Sequence, residues 1–198
     1  HHCRLPEDVP NDLEEIPRPR AIYMGSITRV LDFTLLRDVA RLLPDVSFVF
    51  VGAARLIDQA IRPVFEEWAD CPNVYQLGQK PASVLPFYLQ ESDVALLPYL
   101  ITEDTKERYP LKLHEYMAAG KPVVSAPLSC VREFSPLVTQ ATTAEEWAGA
   151  IRANLREADS DTIDERRRAA RRHDWNRVVM KLESLLGQAM SSTGADSR

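Results

Sequence analysis

From residue 21 onward, short apolar runs alternate with longer stretches of helical spacing. The runs are "AIYMG" (21–25), "VSFVFVG" (46–52), "NVYQLG" (73–78), "VALLP" (94–98), "PVVSA" (122–126) and "LVTQA" (137–141). Between the first two, "DFTLLRDVARLLPD" (32–45) places Leu35, Leu36, Val39, Leu42 and Leu43 on one helical face. Further helices are predicted over 56–70, over 82–92 with an interruption at Pro86, and over 111–119, behind a polar loop at 99–110. Three closing helices are predicted over 143–158, 161–172 and 174–190, with a frayed tail over 191–198. The runs are rich in Val and Leu and do not alternate with polar residues, so each strand is buried on both faces. That predicts a parallel sheet with helices on both sides, a doubly wound α/β domain with extra C-terminal helices.

Residues 1–20 read differently. They hold four prolines and much charge, and predict a linker or extended lead-in to one domain over 21–190. No function is assigned to His1 and His2. The chain has 198 residues, enough for a sizeable core, with 45 % hydrophobic and 27 % charged positions. A net charge of −5 argues against a protein whose main work is to hold nucleic-acid backbone. No run approaches the roughly 18 apolar residues of a membrane span. Cys3, Cys71 and Cys130 lack metal-type spacing and read as free thiols of a reducing compartment.

In a doubly wound sheet, ligands sit beyond the carboxyl ends of the strands. Those ends are predicted at Gly25-Ser26, Gly52-Ala53, Gly78-Gln79, Pro98-Tyr99 and Ser125-Ala126. Three of them are glycines, which either let backbone approach a ligand or merely turn the chain.

The stretch "ERYPLKLHEYMAAGKPVVS" (107–125) carries the strongest chemical signal. Pro110 suits a first helical turn and Gly120 a C-terminal cap. On the wheel, Leu113, Tyr116 and Met117 cover one side, and Leu111, Ala118 and Ala119 much of the other. A helix apolar nearly all round is buried, so Glu115 is expected to be a partly enclosed carboxylate in need of partners. It leans back toward the helix mouth, and Glu107 lies in the loop just before it. The mouth offers amides and a positive dipole end for a phosphate, supplemented by Lys112 and Arg108. Carboxylates for hydroxyls beside amides for phosphates suit a nucleotide sugar. The plainer alternative pairs Glu115 with Lys121 or Arg132 and leaves Glu107 solvated.

This stretch resembles the signature of retaining glycosyltransferases of the GT-B fold, the family 4 or group 1 type. Their mark is Glu, seven residues, Glu, then a helix and "AxGxPVV"; here Glu107 and Glu115 precede "YMAAGKPVVS". "AIYMGSI", "DFTLLRDVARLLPDVSFVFVG" and "CPNVYQLGQKPASVLPFYLQESDVALLP" resemble the family's opening strands and base-binding loop. "EEWAGAIRANL" and "HDWNRVVMKLESLL" resemble its closing helices, so the likeness covers about residues 21–187. The resemblance implies a Rossmann-like domain, the C-terminal half of a GT-B fold, binding a UDP- or GDP-sugar without a required metal or other cofactor. Glu115 would hold the ribose hydroxyls, and Glu107, the catalytic candidate, the transferred sugar. Arg108, Tyr109, Pro110, Leu111 and Lys112 would line the diphosphate, chiefly through backbone amides. Gly25, Ser26 and Arg29 would approach it from the other side, and Leu77, Gly78, Gln79 and Lys80 would frame the base.

Departures from the family pattern are equally specific. The loop after the first strand carries Ser26 and Asp32 where many members have an Arg and a Lys, and "YPLKL" stands in place of a Gly-rich form. The resemblance also implies a partner half that carries the acceptor site, so this chain alone would bind donor weakly and transfer little. The acceptor would be a polysaccharide, a lipid-linked glycan or a small molecule. Cytoplasmic location is expected, with contact to the inner face of the membrane as an alternative use of the basic run "ERRRAARRHDW" (165–175), otherwise a solvated helix face. Two rivals are a nucleotide-sugar epimerase of the same fold and a noncatalytic nucleotide-sugar-binding or docking module. An NAD enzyme is disfavoured because Gly25 opens no GxGxxG pattern.

Overall fold

The computed structural model describes residues 10–156 and 160–172. Six strands are present: β1 Arg20–Met24, β2 Ser47–Val51, β3 Val74–Gln76, β4 Val94–Leu97, β5 Val123–Ser125 and β6 Val138–Gln140. They form one sheet in the order β3-β2-β1-β4-β5-β6. Every pairing is parallel. All residues of β1, β2, β4 and β5 are buried, which is what continuous apolar runs require when helices cover both faces. The helices are α1 Asn11–Glu14, α2 Phe33–Leu42, α3 Arg62–Ala69, α4 Leu85–Gln90, α5 Lys112–Ala118, α6 Ala144–Arg156 and α7 Ser160–Arg172, with a 3-10 segment at Ser129–Phe134. The chain is therefore the doubly wound, Rossmann-like α/β domain that its patterning predicts.

Two prolines start helices instead of interrupting them. Pro63 and Pro86 both occupy first turns, where a missing N–H costs nothing. Consequently α3 begins at Arg62, not near 56. Residues 56–61 form a loop in which Asp58 Oδ1 accepts the N–H groups of Ala60 and Ile61. Leu56 sits in this loop with φ 56° and 76 % of its surface exposed.

The expected extended lead-in is folded over residues 10–20. Leu13 and Ile16 are buried in the core. The buried Arg20 guanidinium donates to the carbonyls of Ile16 and Leu13, and Arg18 bridges Glu91 and Asp93. The predicted helix over 174–190, the tail over 191–198, and Cys3, His173 and Trp175 lie outside the described residues. Trp68 and Trp147 are buried as packing residues; Trp68 stacks within a cluster of Phe33, Phe50 and Phe65. Within the basic run, α7 is not uniformly solvated: Arg166 is buried and donates to the Leu137 carbonyl, while Arg168 and Arg171 are exposed.

The sheet order creates a single point of reversal. β1 pairs with β2 on one side and β4 on the other, so the connections leaving their carboxyl ends diverge. A crevice opens at such a point.

Candidate functional site

The floor of this crevice is a pair of crossed loops. After β1, the Gly25 N–H donates to the Val51 carbonyl at 2.9 Å. The Ile27 N–H donates to Ala53 O, and the Arg55 N–H donates back to Ile27 O. Gly52 is demanded by this approach, because a Cβ there would lie 2.0 Å from the Gly25 carbonyl oxygen. Ser26 and Arg29 are exposed on the same loop. Asp32 caps α2 by accepting the Leu35 N–H at 2.9 Å.

Helix α5 closes the other side. Tyr116 is fully buried, and its hydroxyl accepts the Met24 N–H at 2.9 Å, pinning the end of β1. One turn earlier, Lys112 reaches across the crevice. Its Nζ donates to the Tyr23 hydroxyl at 2.8 Å, and Tyr23 in turn donates to the Ser26 carbonyl at 3.2 Å. The ammonium lies 4.0 Å from the Tyr23 ring centroid and 5.8 Å from that of Tyr99. A Cβ on Gly25 would come within 2.4 Å of Nζ, so the glycine makes room for the lysine. Burial pushes the Lys112 ammonium down to about 8, opposed by the charge of Glu115. Burial also pushes the Tyr99 phenol up and the Tyr23 phenol well above its ordinary range.

The two glutamates flank this cation, but not as enclosed carboxylates. Glu115 is exposed, as is Ala118, and Leu111 keeps 54 % of its surface. These three residues form one strip along α5, opposite Leu113, Tyr116 and Met117, which face the sheet. The expectation of a helix buried all round is corrected here. The sheet and α7 cover the rest of α5, and the strip of Leu111, Glu115 and Ala118 is left exposed. The alternative pairing of Glu115 with Lys121 is excluded, because Lys121 donates to the Gln90 and Ser92 carbonyls at 2.7 Å each. Glu107 is exposed and accepts the Ser129 hydroxyl at 2.8 Å. The loop around it is stitched to the 3-10 segment, with Ser129 N–H on Lys106 O and Cys130 Sγ on Arg108 O. Pro110 is buried, and the exposed Tyr109 stacks on His114 with its hydroxyl 2.7 Å from Nε2.

The helix mouth is tighter than a free N-terminus. The amide of Arg108 is taken by Thr105 O, that of Leu113 by Pro110 O and that of His114 by Leu111 O.

Leu77, Gly78, Gln79 and Lys80 follow β3, two strands away from β1, which at the usual spacing is about 10 Å. They join the site through Arg55, whose Nη2 donates to Gln79 Oε1 at 3.1 Å. Gly78 and Gln79 are exposed. Lys80 is otherwise engaged: it pairs with Asp12 at 2.5 Å and lies 5.8 Å from the Tyr88 ring centroid. Tyr23, Arg55, Tyr99 and Ser129 were not singled out from sequence. The sequence marks that could have found Tyr23 and Tyr99 are their places at the ends of the first and fourth apolar runs.

Sheet, crossed glycine loops and short α5 define a Rossmann-like domain of the type that forms the C-terminal half of GT-B glycosyltransferases. Residues 18–157 match the family described as Glycosyl transferases group 1, and the chain belongs to it. TuaH of Bacillus subtilis (strain 168), which carries the name of a teichuronic acid biosynthesis glycosyltransferase, is 30 % identical over 167 residues. That match takes in 80 % of this chain and 41 % of the relative, so this chain spans about two fifths of its length. Among solved structures, Anabaena Alr3699/HepE in complex with UDP and glucose superposes with a TM-score of 0.62 at 19 % identity, over 88 % of this chain and 49 % of that one. "Trehalose-6-phosphate from E. coli bound with UDP-2-fluoro glucose" gives 0.66 at 16 % identity, over 91 % and 48 %. The C-terminal domain of the group 1 family protein LpcC from Francisella tularensis gives 0.58 at 16 % identity, over 80 % and 86 %. At these identities the structural likeness establishes the fold.

Proposed function

We propose that this chain is the donor-binding part of a retaining glycosyltransferase, which holds a nucleoside-diphosphate sugar in the β1–β4 crevice for transfer to a glycan, lipid-linked or small-molecule acceptor. The observation that carries this reading is the grouping of Glu107, Glu115 and Lys112 around one α5 mouth at the topological switch. In this reading Glu115 accepts from the ribose hydroxyls, and its exposure leaves both carboxylate oxygens available. Glu107, steadied by Ser129, accepts from a hydroxyl of the transferred sugar. Gly25, Ser26 and Arg29 border the diphosphate on one side, and Arg108 through Lys112 on the other. Leu77, Gly78 and Gln79 border the base, with Lys80 held behind them by Asp12.

The chemistry needs donors already in place where the leaving diphosphate gathers charge. It also needs an acceptor surface. The matched relatives are about twice as long as the region shared, and the acceptor is assigned to the part outside that region. The exposed apolar side chains of Leu100, Ile101, Tyr109 and Leu111 are the surface such a part would cover.

Calorimetric titration with UDP, GDP, UDP-glucose and GDP-mannose, beside Glu115→Ala, tests the reading. Binding of one nucleotide that is lost in Glu115→Ala is expected. A folded chain that binds none of the four would sink it. A noncatalytic binding module is separated by supplying the remaining part of the parent protein: activity restored removes that rival.

A further inference from the structure

The donor reading leaves a charge unaccounted for. A diphosphate needs cations, yet Ser26 carries no charge and Asp32 is spent as the α2 cap. Helix α5 is only seven residues long, and the amides of Arg108, Leu113 and His114 around its mouth are already bonded to carbonyls, which weakens its N-terminus as an anion site. Arg29 is exposed at the rim.

One cation is built into the crevice wall instead. Lys112 is half-buried, and among the described residues it forms no ion pair. Among the described residues its hydrogen-bond partner is the neutral Tyr23 hydroxyl, and Gly25 leaves the space it occupies. Burying an ammonium without a carboxylate is costly, and such a group is retained where an anion arrives. We propose that Lys112 is the principal diphosphate cation of this site, entering from α5 in place of the basic residues absent from the β1 loop, and that it moves from Tyr23 to the phosphates when donor binds. The proposal rests on the donor reading and assigns it a different source of charge.

A consequence separates this lysine from a merely structural one. The groups facing it are Tyr23 from β1, Tyr99 from the segment after β4 and Glu115 from α5 itself, with Arg108 beside Tyr99. Both phenols are pushed up by burial, so they are neutral where the lysine titrates and do not mask it. Its own ammonium is pushed down to about 8. A bound diphosphate restores the charged form. Binding above that point therefore draws one proton from solvent onto Nζ, and no other bond changes. The sign follows: affinity falls as pH rises through about 8, by about tenfold between pH 7 and 9.

The test is calorimetric titration of this chain with UDP and with GDP, in buffers of different ionisation enthalpy at pH 8.5. Lys112→Gln, Lys112→Arg and Glu115→Ala are compared, with thermal melts to confirm folding. Wild type should take up roughly three quarters of a proton per nucleotide at this pH, from the same equilibrium. Lys112→Arg should bind with no uptake, and Lys112→Gln should bind at least about tenfold more weakly with no uptake. Binding in Lys112→Gln within twofold of wild type, or tight wild-type binding without proton uptake, overturns the proposal. If Glu115→Ala abolishes binding in that case, the donor reading stands alone. Failure of folded wild type to bind either nucleotide overturns both.

Discussion

Ser129 donates its hydroxyl to Glu107 at 2.8 Å, although 22 residues separate them. The contact ties the first glutamate of the signature to a 3-10 segment on the far side of the crevice. A carboxylate on an exposed loop is otherwise free to turn. With Glu107 on the donor sugar as proposed, Ser129→Ala should weaken UDP- or GDP-sugar binding about fivefold, the worth of one charge-assisted bond near 1 kcal/mol. Binding of the bare nucleotide and the melting temperature should not move, and Ser129→Thr should recover part of the loss. An equal loss for sugar and bare nucleotide would show that Ser129 acts on the loop as a whole.

Gly52→Ala should destabilise the domain and damage the crevice together. The added Cβ meets Gly25 backbone atoms at 2.0 and 2.6 Å, and backbone cannot swing aside as a side chain can. A cost of about 2–4 kcal/mol is expected by urea unfolding. Loss below about 0.5 kcal/mol would mean that the two loops separate easily.

Asn73 holds three carbonyls at once. Its Nδ2 lies 3.0, 2.9 and 3.0 Å from the carbonyl oxygens of Ala40, Leu43 and Val46, joining the end of α2 to the start of β3. Asn73→Leu should leave those buried acceptors short of donors, at about 2–3 kcal/mol in chemical unfolding. Asn73→Asp should be worse, because a carboxylate would face three carbonyl oxygens.

The lead-in should show a specific acid dependence. Burial raises the Asp12 carboxyl, but hydrogen bonds from Lys80 and Tyr88 outweigh it and hold the carboxyl below its ordinary value. A depressed carboxyl stabilises above its unfolded value and loses that contribution as pH falls through the folded one. The pair is about one-third exposed, so Asp12→Asn should cost no more than about 1 kcal/mol at pH 7. The gap to wild type should close below about pH 4 in urea titrations; a gap that persists there would assign the effect to packing.

The four inner strands were legible because doubly buried strands must be continuous apolar runs, and the partly exposed edge strands β3 and β6 showed through shorter apolar runs. The glutamate pair was legible through its spacing, and Gly25 and Gly52 through their places at strand ends. Helix starts were less so. Pro86 reads as an interruption and Pro63 as the interior of a helix from 56, whereas each lies in the first turn of a helix. Burial on α5 was misjudged for a related reason. A wheel gives the angle between Leu111 and Leu113, but not which angle faces the sheet.

The sequence by itself determined the repeating strand–helix units, their parallel arrangement, and a carboxylate pair beside a helix start. Those are local properties, set by periodicity, by proline and glycine backbone limits, and by spacing within one loop. Only the tertiary structure decided that β1 lies against β4, and hence that Tyr23, Gly25, Tyr99 and Lys112 share one crevice. Strand order is fixed by how six strands and their helices pack at once. Residues 23 and 112 meet only when that packing is complete.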